Sequence, residues 1–119
     1  MAAVGIGGFF FRADDPEGLR DWYRTRLGVG VEGAWEWWQQ AGPTVFLPVP
    51  SGGDGVPDGA PWMLNLRVDD LDGLVARLRS AGVEVRTEPG WDSPGTGRFA
   101  RIRDPEGNPV ELWEPPREG

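Results

Sequence analysis

The side chains that could carry out chemistry are few and unusual in type. Cysteine and histidine are absent from the 119 residues, and all twelve basic residues are arginine. The chain therefore has no thiol nucleophile, no imidazole for acid–base chemistry near neutral pH and no lysine for Schiff-base formation. Carboxylates and the single tyrosine, Tyr23, are the titratable groups that remain for catalysis.

The overall charge restricts the class of partner. The formal net charge is −7, so non-specific binding to nucleic acid or to an anionic membrane is not expected. The acidic balance mildly favours cationic ligands. The apolar start, residues 4–11, is too short to span a bilayer and lacks a basic leader. These features predict a cytoplasmic protein with no membrane or nucleic-acid partner.

An internal repeat shows which elements must position the reactive groups. Residues 12–19 recur as residues 67–74, each copy containing an Asp-Asp pair after an apolar run of strand length. An aspartate there can cap a helix by accepting hydrogen bonds from its first N–H groups. Gly28 and Gly82 follow the two apolar helical patterns and are typical left-handed helix ends. The sequence therefore predicts two helices of similar design.

The remaining apolar segments predict strands and connecting loops. Strands are predicted over residues 6–13, 31–40, 44–49, 63–68, 83–87, 98–103 and 109–114. Residues 50–61 are rich in glycine and proline and predict a connector. Residues 88–97 predict a long loop around Trp91, either an ordinary loop or a lid over a pocket.

The order of these elements resembles the glyoxalase/bleomycin-resistance protein/dioxygenase (vicinal oxygen chelate) superfamily. The sharpest local match is Arg-Asp-Pro-Glu-Gly-Asn-Pro-Val-Glu-Leu at residues 103–112. The resemblance implies an α+β fold in which two tandem βαβββ modules form one curved, cleft-forming mixed sheet with helices outside. It implies a single domain over residues 1–119, with modules at about 1–50 and 62–119 and a connector at 51–61. It also implies a homodimer.

The resemblance locates the four positions at which metal-dependent members hold their ion. They correspond here to Gly8, Phe46, Met63 and Glu111, and among them Glu111 alone is a ligand for a hard or borderline divalent ion. A shifted site using Asn65, Gln39 or Gln40 would lack a second charge. We therefore expect a cleft without a metal or other cofactor.

Alternation along the strands predicts the side chains that face this cleft. The candidate ligand-binding residues are aromatic or polar, with one methionine: Phe10, Arg12, Trp37, Phe46, Met63, Asn65, Arg67, Arg101 and Trp113. Arg101 or Arg67 has a second interpretation, as a structural ion-pair partner of Glu111. Phe10 and Phe46 have one too, as core residues. Trp35, Trp37 and Trp38 need a cover, which could be the core, a planar ligand or a second subunit.

Three functions are compatible with this cleft. The first is metal-free binding of a small organic molecule, as in drug or natural-product sequestration. The second is a metal-independent lyase or isomerase in which Glu111 is the acid or base and Arg101 its electrophilic partner. The third is an interaction module whose tryptophans form a homodimer face, and it is compatible with either of the others. A metal-dependent dioxygenase or lyase is less favoured, because Glu111 alone of the four positions is a suitable ligand.

Overall fold

The computed structural model describes residues 1–117 and contains two α-helices, three β-strands and one short 3-10 helix. In chain order these are α1 (Pro16–Leu27), β1 (Leu64–Arg67), α2 (Leu71–Ser80), the 3-10 turn Pro89–Trp91, β2 (Arg98–Arg103) and β3 (Pro109–Glu114). The helices, β2 and β3 match the predicted elements closely. β1 lies within the predicted strand over residues 63–68.

The strands form one open mixed sheet with β3 in the centre. The order is β1-β3-β2, with β1 parallel and β2 antiparallel to β3. The turn between β2 and β3 uses Gly107 at a φ of 85°, a left-handed angle that glycine adopts without strain. The predicted strand over residues 83–87 appears only as an isolated bridge between Arg86 and Arg101.

Both helices begin with the same capping arrangement, as the repeat predicted. The Asp15 and Asp70 side chains accept hydrogen bonds from the N–H groups of Gly18 and Gly73, each at 3.1 Å. A Cβ on Gly18 would lie 2.2 Å from an Asp15 carboxylate oxygen, and one on Gly73 2.3 Å from the corresponding oxygen of Asp70. Glycine at this position avoids a steric clash between a Cβ atom and the capping carboxylate, which explains why Asp-x-x-Gly occurs in both copies.

The core lies between the helices and one face of the sheet. Ala100, Val110 and Leu112 are fully buried there and pack with the apolar stripe of α2. Helix α1 adds Leu19 and Tyr23, and the Tyr23 hydroxyl donates a hydrogen bond of 2.7 Å to the buried carboxylate of Asp104 at the end of β2. Burial first, and then this carboxylate, raise the pKa of Tyr23 far above its ordinary value.

The strands predicted over residues 6–13, 31–40 and 44–49 are absent from the described structure. A strand exists only where a neighbour completes its hydrogen-bond ladder, and these segments have no such neighbour within residues 1–117. Phe9 and Phe11 pack instead through ring contacts with Trp62, at centroid distances of 4.9 and 5.8 Å. No helix among the described residues is long and apolar enough to cross a membrane.

Candidate functional site

The face of the sheet opposite the core carries a row of polar side chains. The strand register places Asn65 and Arg101 on either side of Glu111. Their neighbours in the strands, Leu66 and Ala100, are buried on the helix side. Since side chains alternate along a strand, the polar row lies on the other face.

Glu111 is held by both of its neighbours. Arg101 Nε donates to Glu111 Oε2 at 3.0 Å, and Asn65 Nδ2 donates to Oε1 at 2.8 Å. The side chains of Arg101 and Glu111 are only 16% and 12% exposed. Each carboxylate oxygen therefore has its own donor in a half-buried setting, which fixes the carboxylate in one orientation. Of the two predicted partners of Glu111, the structure selects Arg101.

A second row of side chains lies on the same face of the sheet, two residues away along each strand, and is mostly aromatic. The register aligns Arg67, Trp113 and Phe99. The Phe99 and Trp113 rings stack at a centroid distance of 6.3 Å and an interplanar angle of 7°. Trp113 Nε1 also donates to the carbonyl of Thr96 at 2.8 Å. Arg67 reaches across to the Gln40 carbonyl, 3.0 Å from Arg67 Nη2, so it does not pair with Glu111.

Trp91 belongs to this site, although sequence reasoning assigned it only to a loop or lid. The Arg101 guanidinium carbon lies 4.8 Å from the Trp91 ring centroid and that of Arg86 lies 5.2 Å from it, both within cation–π range. Arg86 was also missed, whereas alternation along β2 already turned Phe99 toward the cleft without identifying Trp113 as its stacking partner. Alternation along residues 83–87 and 98–103 was the available signal for Arg86 and Phe99, whereas nothing local places Trp91.

A cavity adjoins the polar row. Its volume is about 590 Å³, and its wall includes Met63, Arg86 and Arg101 on the sheet side. Asp54 and Asp58 of the connector also line it, as do Trp22 of α1 and the core-facing residues Ile102 and Val110. This volume falls within the common range for small-molecule pockets, about 300–1,000 Å³.

The predicted cleft residues separate into two groups. Asn65, Arg67, Arg101, Glu111 and Trp113 come together on neighbouring strands, with Met63 in the adjoining cavity wall. The first-half residues do not join a buried cleft: Phe10 is 92% and Phe46 84% exposed, Trp37 is 40% exposed, and Arg12 is exposed. The alternative interpretation of Phe10 and Phe46 as core residues is therefore wrong.

The four positions inferred for a metal do not fit a divalent ion. Gly8 and Phe46 offer no side-chain donor atom, and both oxygens of Glu111 already accept hydrogen bonds. In the shifted alternative, the Asn65 amide donates to Glu111 and the Gln40 carbonyl accepts from Arg67. No group of three or more carboxylates converges anywhere in residues 1–117. Glu111, the single carboxylate among the four positions, is thus engaged in an ion pair with Arg101.

Comparisons with known proteins agree on one family. The model of the glyoxalase/bleomycin resistance protein/dioxygenase superfamily matches residues 5–112. CFP32 of Mycobacterium bovis and Mycobacterium tuberculosis, provisionally named a glyoxylase, is 39% identical over 61 residues, 51% of this chain and 22% of that protein. The chain thus spans about a fifth of these curated relatives.

Two solved structures are similar over most of the chain. TnmS3, an antibiotic binding protein from Streptomyces sp. CB03234, is 26% identical with a TM-score of 0.58, and the match covers 97% of this chain and 98% of that one. The trypanothione-dependent glyoxalase I of Leishmania major is 26% identical with a TM-score of 0.54, covering 87% and 81%.

Proposed function

Because the chain belongs to the glyoxalase/bleomycin resistance protein/dioxygenase superfamily, we propose that it binds a small organic molecule without a metal ion. The binding surface is the sheet face that carries Glu111, Arg101 and Trp113, together with the adjoining cavity. Sequestration of a drug or natural product needs such a surface and no catalytic pair.

One observation carries this proposal: the carboxylate of Glu111 is fixed by Arg101 and Asn65 beside a stack of two aromatic rings. Rigid polar groups next to flat apolar rings give a planar ligand both stacking area and orientation. The similarity to an antibiotic binding protein over nearly its whole length supports the same class of function.

The test is a thermal-shift and tryptophan-fluorescence titration with bleomycin and neutral planar aromatics, 2-naphthamide being the simplest. A ligand at a hundred times its Kd stabilises the fold by about 2.7 kcal/mol, which for a domain of this size is a rise in Tm of about 10 °C. Phe99→Leu is expected to weaken binding of each active ligand several-fold. Phe10→Leu, a matched change at an exposed ring, is expected to leave binding unaltered.

Two results would contradict the proposal. The first is that no compound of the panel shifts Tm. The second is that Phe10→Leu weakens binding as much as Phe99→Leu, because the ligand would then bind outside the face assigned to it. Retention of stoichiometric nickel, zinc, manganese or iron after desalting, measured by elemental analysis, would contradict its metal-free part.

The second candidate function, acid–base catalysis at Glu111, is favoured by the proximity of Arg101. A guanidinium at 3.0 Å from the carboxylate can polarise a carbonyl oxygen while Glu111 takes the neighbouring proton. A substrate whose turnover disappears in Glu111→Gln with binding intact would establish this function over sequestration. Unchanged turnover in that variant would exclude it.

We also propose that two copies of the chain associate through the first half. Large apolar side chains are openly exposed there: Trp35 at 89%, Trp38 at 87%, Phe46 at 84%, Leu47 at 70% and Val45 at 64%. A concentration of exposed apolar side chains of this kind supports an interaction site, since large apolar patches on soluble proteins commonly mark one. In a homodimer the segments 31–40 and 44–49 can gain the strand neighbours that the two-module arrangement requires.

Sedimentation velocity tests the assembly. A dimer at micromolar concentration is expected, and Trp38→Ser should shift it toward monomer. Arg77→Ser, at an exposed position of α2 outside the proposed interface, is the control and should leave the dimer intact. A monomer for the unaltered protein at high micromolar concentration would refute the assembly.

A further inference from the structure

We propose that the outer edge of the Arg101 guanidinium is an anion subsite that binds the carboxylate of a planar aromatic ligand. This inference rests on the proposed small-molecule binding and specifies the chemical class of ligand. It assigns the arginine a role beyond its ion pair with Glu111.

The hydrogen bonds of Arg101 are incomplete on one side. A guanidinium has five N–H donors in a planar fork. Nε donates to Glu111 Oε2, whereas Nη1 and Nη2 have no acceptor among residues 1–117. The Arg101 side chain as a whole is only 16% exposed. Within the described structure, every side-chain nitrogen of a buried or half-buried residue that has no hydrogen-bond partner remains in contact with solvent, and this includes the Nη atoms of Arg101. A ligand oxygen can therefore reach this edge and satisfy donors that the protein leaves open.

The guanidinium is also held in place before a ligand arrives. Glu111 restrains it from one end through Nε, and the Trp91 ring lies 4.8 Å from its central carbon. A planar fork held in this way loses little rotational freedom when it binds a carboxylate with two parallel hydrogen bonds.

Aromatic surface lies beside the open edge. Phe99 is two residues from Arg101 on β2, so both side chains lie on the same face of the sheet. The Phe99–Trp113 stack therefore lies on the same face of the sheet as the Arg101 guanidinium. A flat aromatic acid can place its ring against this stack and its carboxylate at Arg101.

The local charges favour an anion, although the whole chain is acidic. Glu111 pairs with Arg101 and Glu88 with Arg86, while Arg67 contacts only a backbone carbonyl in the described structure. The ion pairs and Arg67 leave one positive charge in excess on the sheet face, whereas the cavity wall carries Arg86, Arg101 and Arg103 together with Asp54, Asp58, Glu84 and Asp104. The charge that favours an anion is therefore confined to the guanidinium edge on the sheet face.

The experiment compares 2-naphthoate with its neutral isostere 2-naphthamide, using tryptophan fluorescence and isothermal titration calorimetry on the full chain. We expect 2-naphthoate to bind at least tenfold more tightly. In Arg101→Gln this preference should fall below twofold. Arg20→Gln removes the same charge from an exposed position of α1 and should keep the preference.

Two further variants keep the test valid if Arg101→Gln does not fold. The double variant Arg101→Gln/Glu111→Gln removes both charges together and is expected to lose the preference as well. Glu111→Gln alone keeps an oxygen that can accept from Arg101 Nε but removes the negative charge beside the subsite, so it is expected to tighten 2-naphthoate binding; weaker binding would overturn the subsite.

Equal affinities for the two compounds would overturn the anion subsite and leave small-molecule binding in place. A preference that survives in Arg101→Gln or in the double variant would overturn it too, because the anion would then be bound elsewhere. Absence of 2-naphthoate binding would also overturn it, while binding of bleomycin or 2-naphthamide would still support the proposed function.

Discussion

Replacing Tyr23 by phenylalanine removes one hydroxyl that joins the first helix to the end of β2. Tyr23 is 6% and Asp104 is 4% exposed, and their hydrogen bond is 2.7 Å long. A hydrogen bond to a charged group contributes about 1.5–3 kcal/mol. The substitution leaves no cavity, so the hydrogen bond is the main quantity that changes.

The structure places the expected loss at the lower end of this range. Asp104 also accepts hydrogen bonds from the backbone N–H groups of Glu106 and Asn108 and from the Asn108 side chain. Its carboxylate is therefore not left unpaired in Tyr23→Phe. We expect unfolding to become easier by about 1.5–2 kcal/mol, with a fall in Tm of about 6–8 °C.

Urea unfolding followed by tryptophan fluorescence measures this change, and a double-mutant cycle isolates the contact. Asp104→Asn alone should cost more than Tyr23→Phe, because an amide cannot accept from all of the donors that surround it. In the Asp104→Asn background, Tyr23→Phe should cost clearly less than in the unaltered protein. A loss below about 0.5 kcal/mol in Tyr23→Phe, or two fully additive substitutions, would refute the reasoning.

Three further predictions concern single residues. Absorbance at 295 nm should show that Tyr23, the single tyrosine, stays protonated at pH 10–11 in the folded protein but titrates near its ordinary pKa of about 10 in urea. Because folding raises the pKa of Tyr23, the stabilisation that comes from keeping its hydroxyl protonated is complete below pH 10. This stabilisation is lost as the pH rises toward the pKa of Tyr23 in the folded protein. A tyrosine transition near pH 10 in the folded protein would contradict the prediction. Gly97→Ala should cost about 2 kcal/mol or more in urea unfolding, since φ is 104° and a Cβ would lie 2.3 Å from the Glu114 carbonyl oxygen; a cost near zero would contradict the geometry. Replacing glycine by alanine usually stabilises a helix by about 0.5–1 kcal/mol, but Gly18→Ala should not raise the free energy of unfolding because it displaces the Asp15 cap. The stabilisation should return in the Asp15→Ala background. Additive effects of the two substitutions would contradict the competition for space between the added Cβ and the Asp15 carboxylate.

Local signals predicted the elements of the second half well. The Asp-Asp caps, the glycines at the helix ends and the alternation along residues 98–103 and 109–114 each depend on neighbours a few residues away. That is why the ends of β2 and β3 and the buried side of each strand could be predicted from the sequence. The strands predicted in the first half, over residues 6–13, 31–40 and 44–49, are absent from the described structure, because an apolar pattern favours a strand without supplying the neighbour that completes its hydrogen-bond ladder.

The candidate site also combines features that the local sequence predicts with contacts that only the tertiary structure determines. That Asn65, Arg101 and Glu111 face the same way follows from alternation, and the sequence alone indicated it. That Arg101 and not Arg67 pairs with Glu111 depends on the register of β2 against β3, and the placement of Trp91 at both arginines depends on the path of a ten-residue loop. By itself the sequence determined the chemistry that is available, with no histidine, cysteine or lysine, and the caps and faces of the elements. Which side chains meet was decided by the tertiary structure, since contacts between distant segments depend on sheet register and loop path, and no local pattern encodes either.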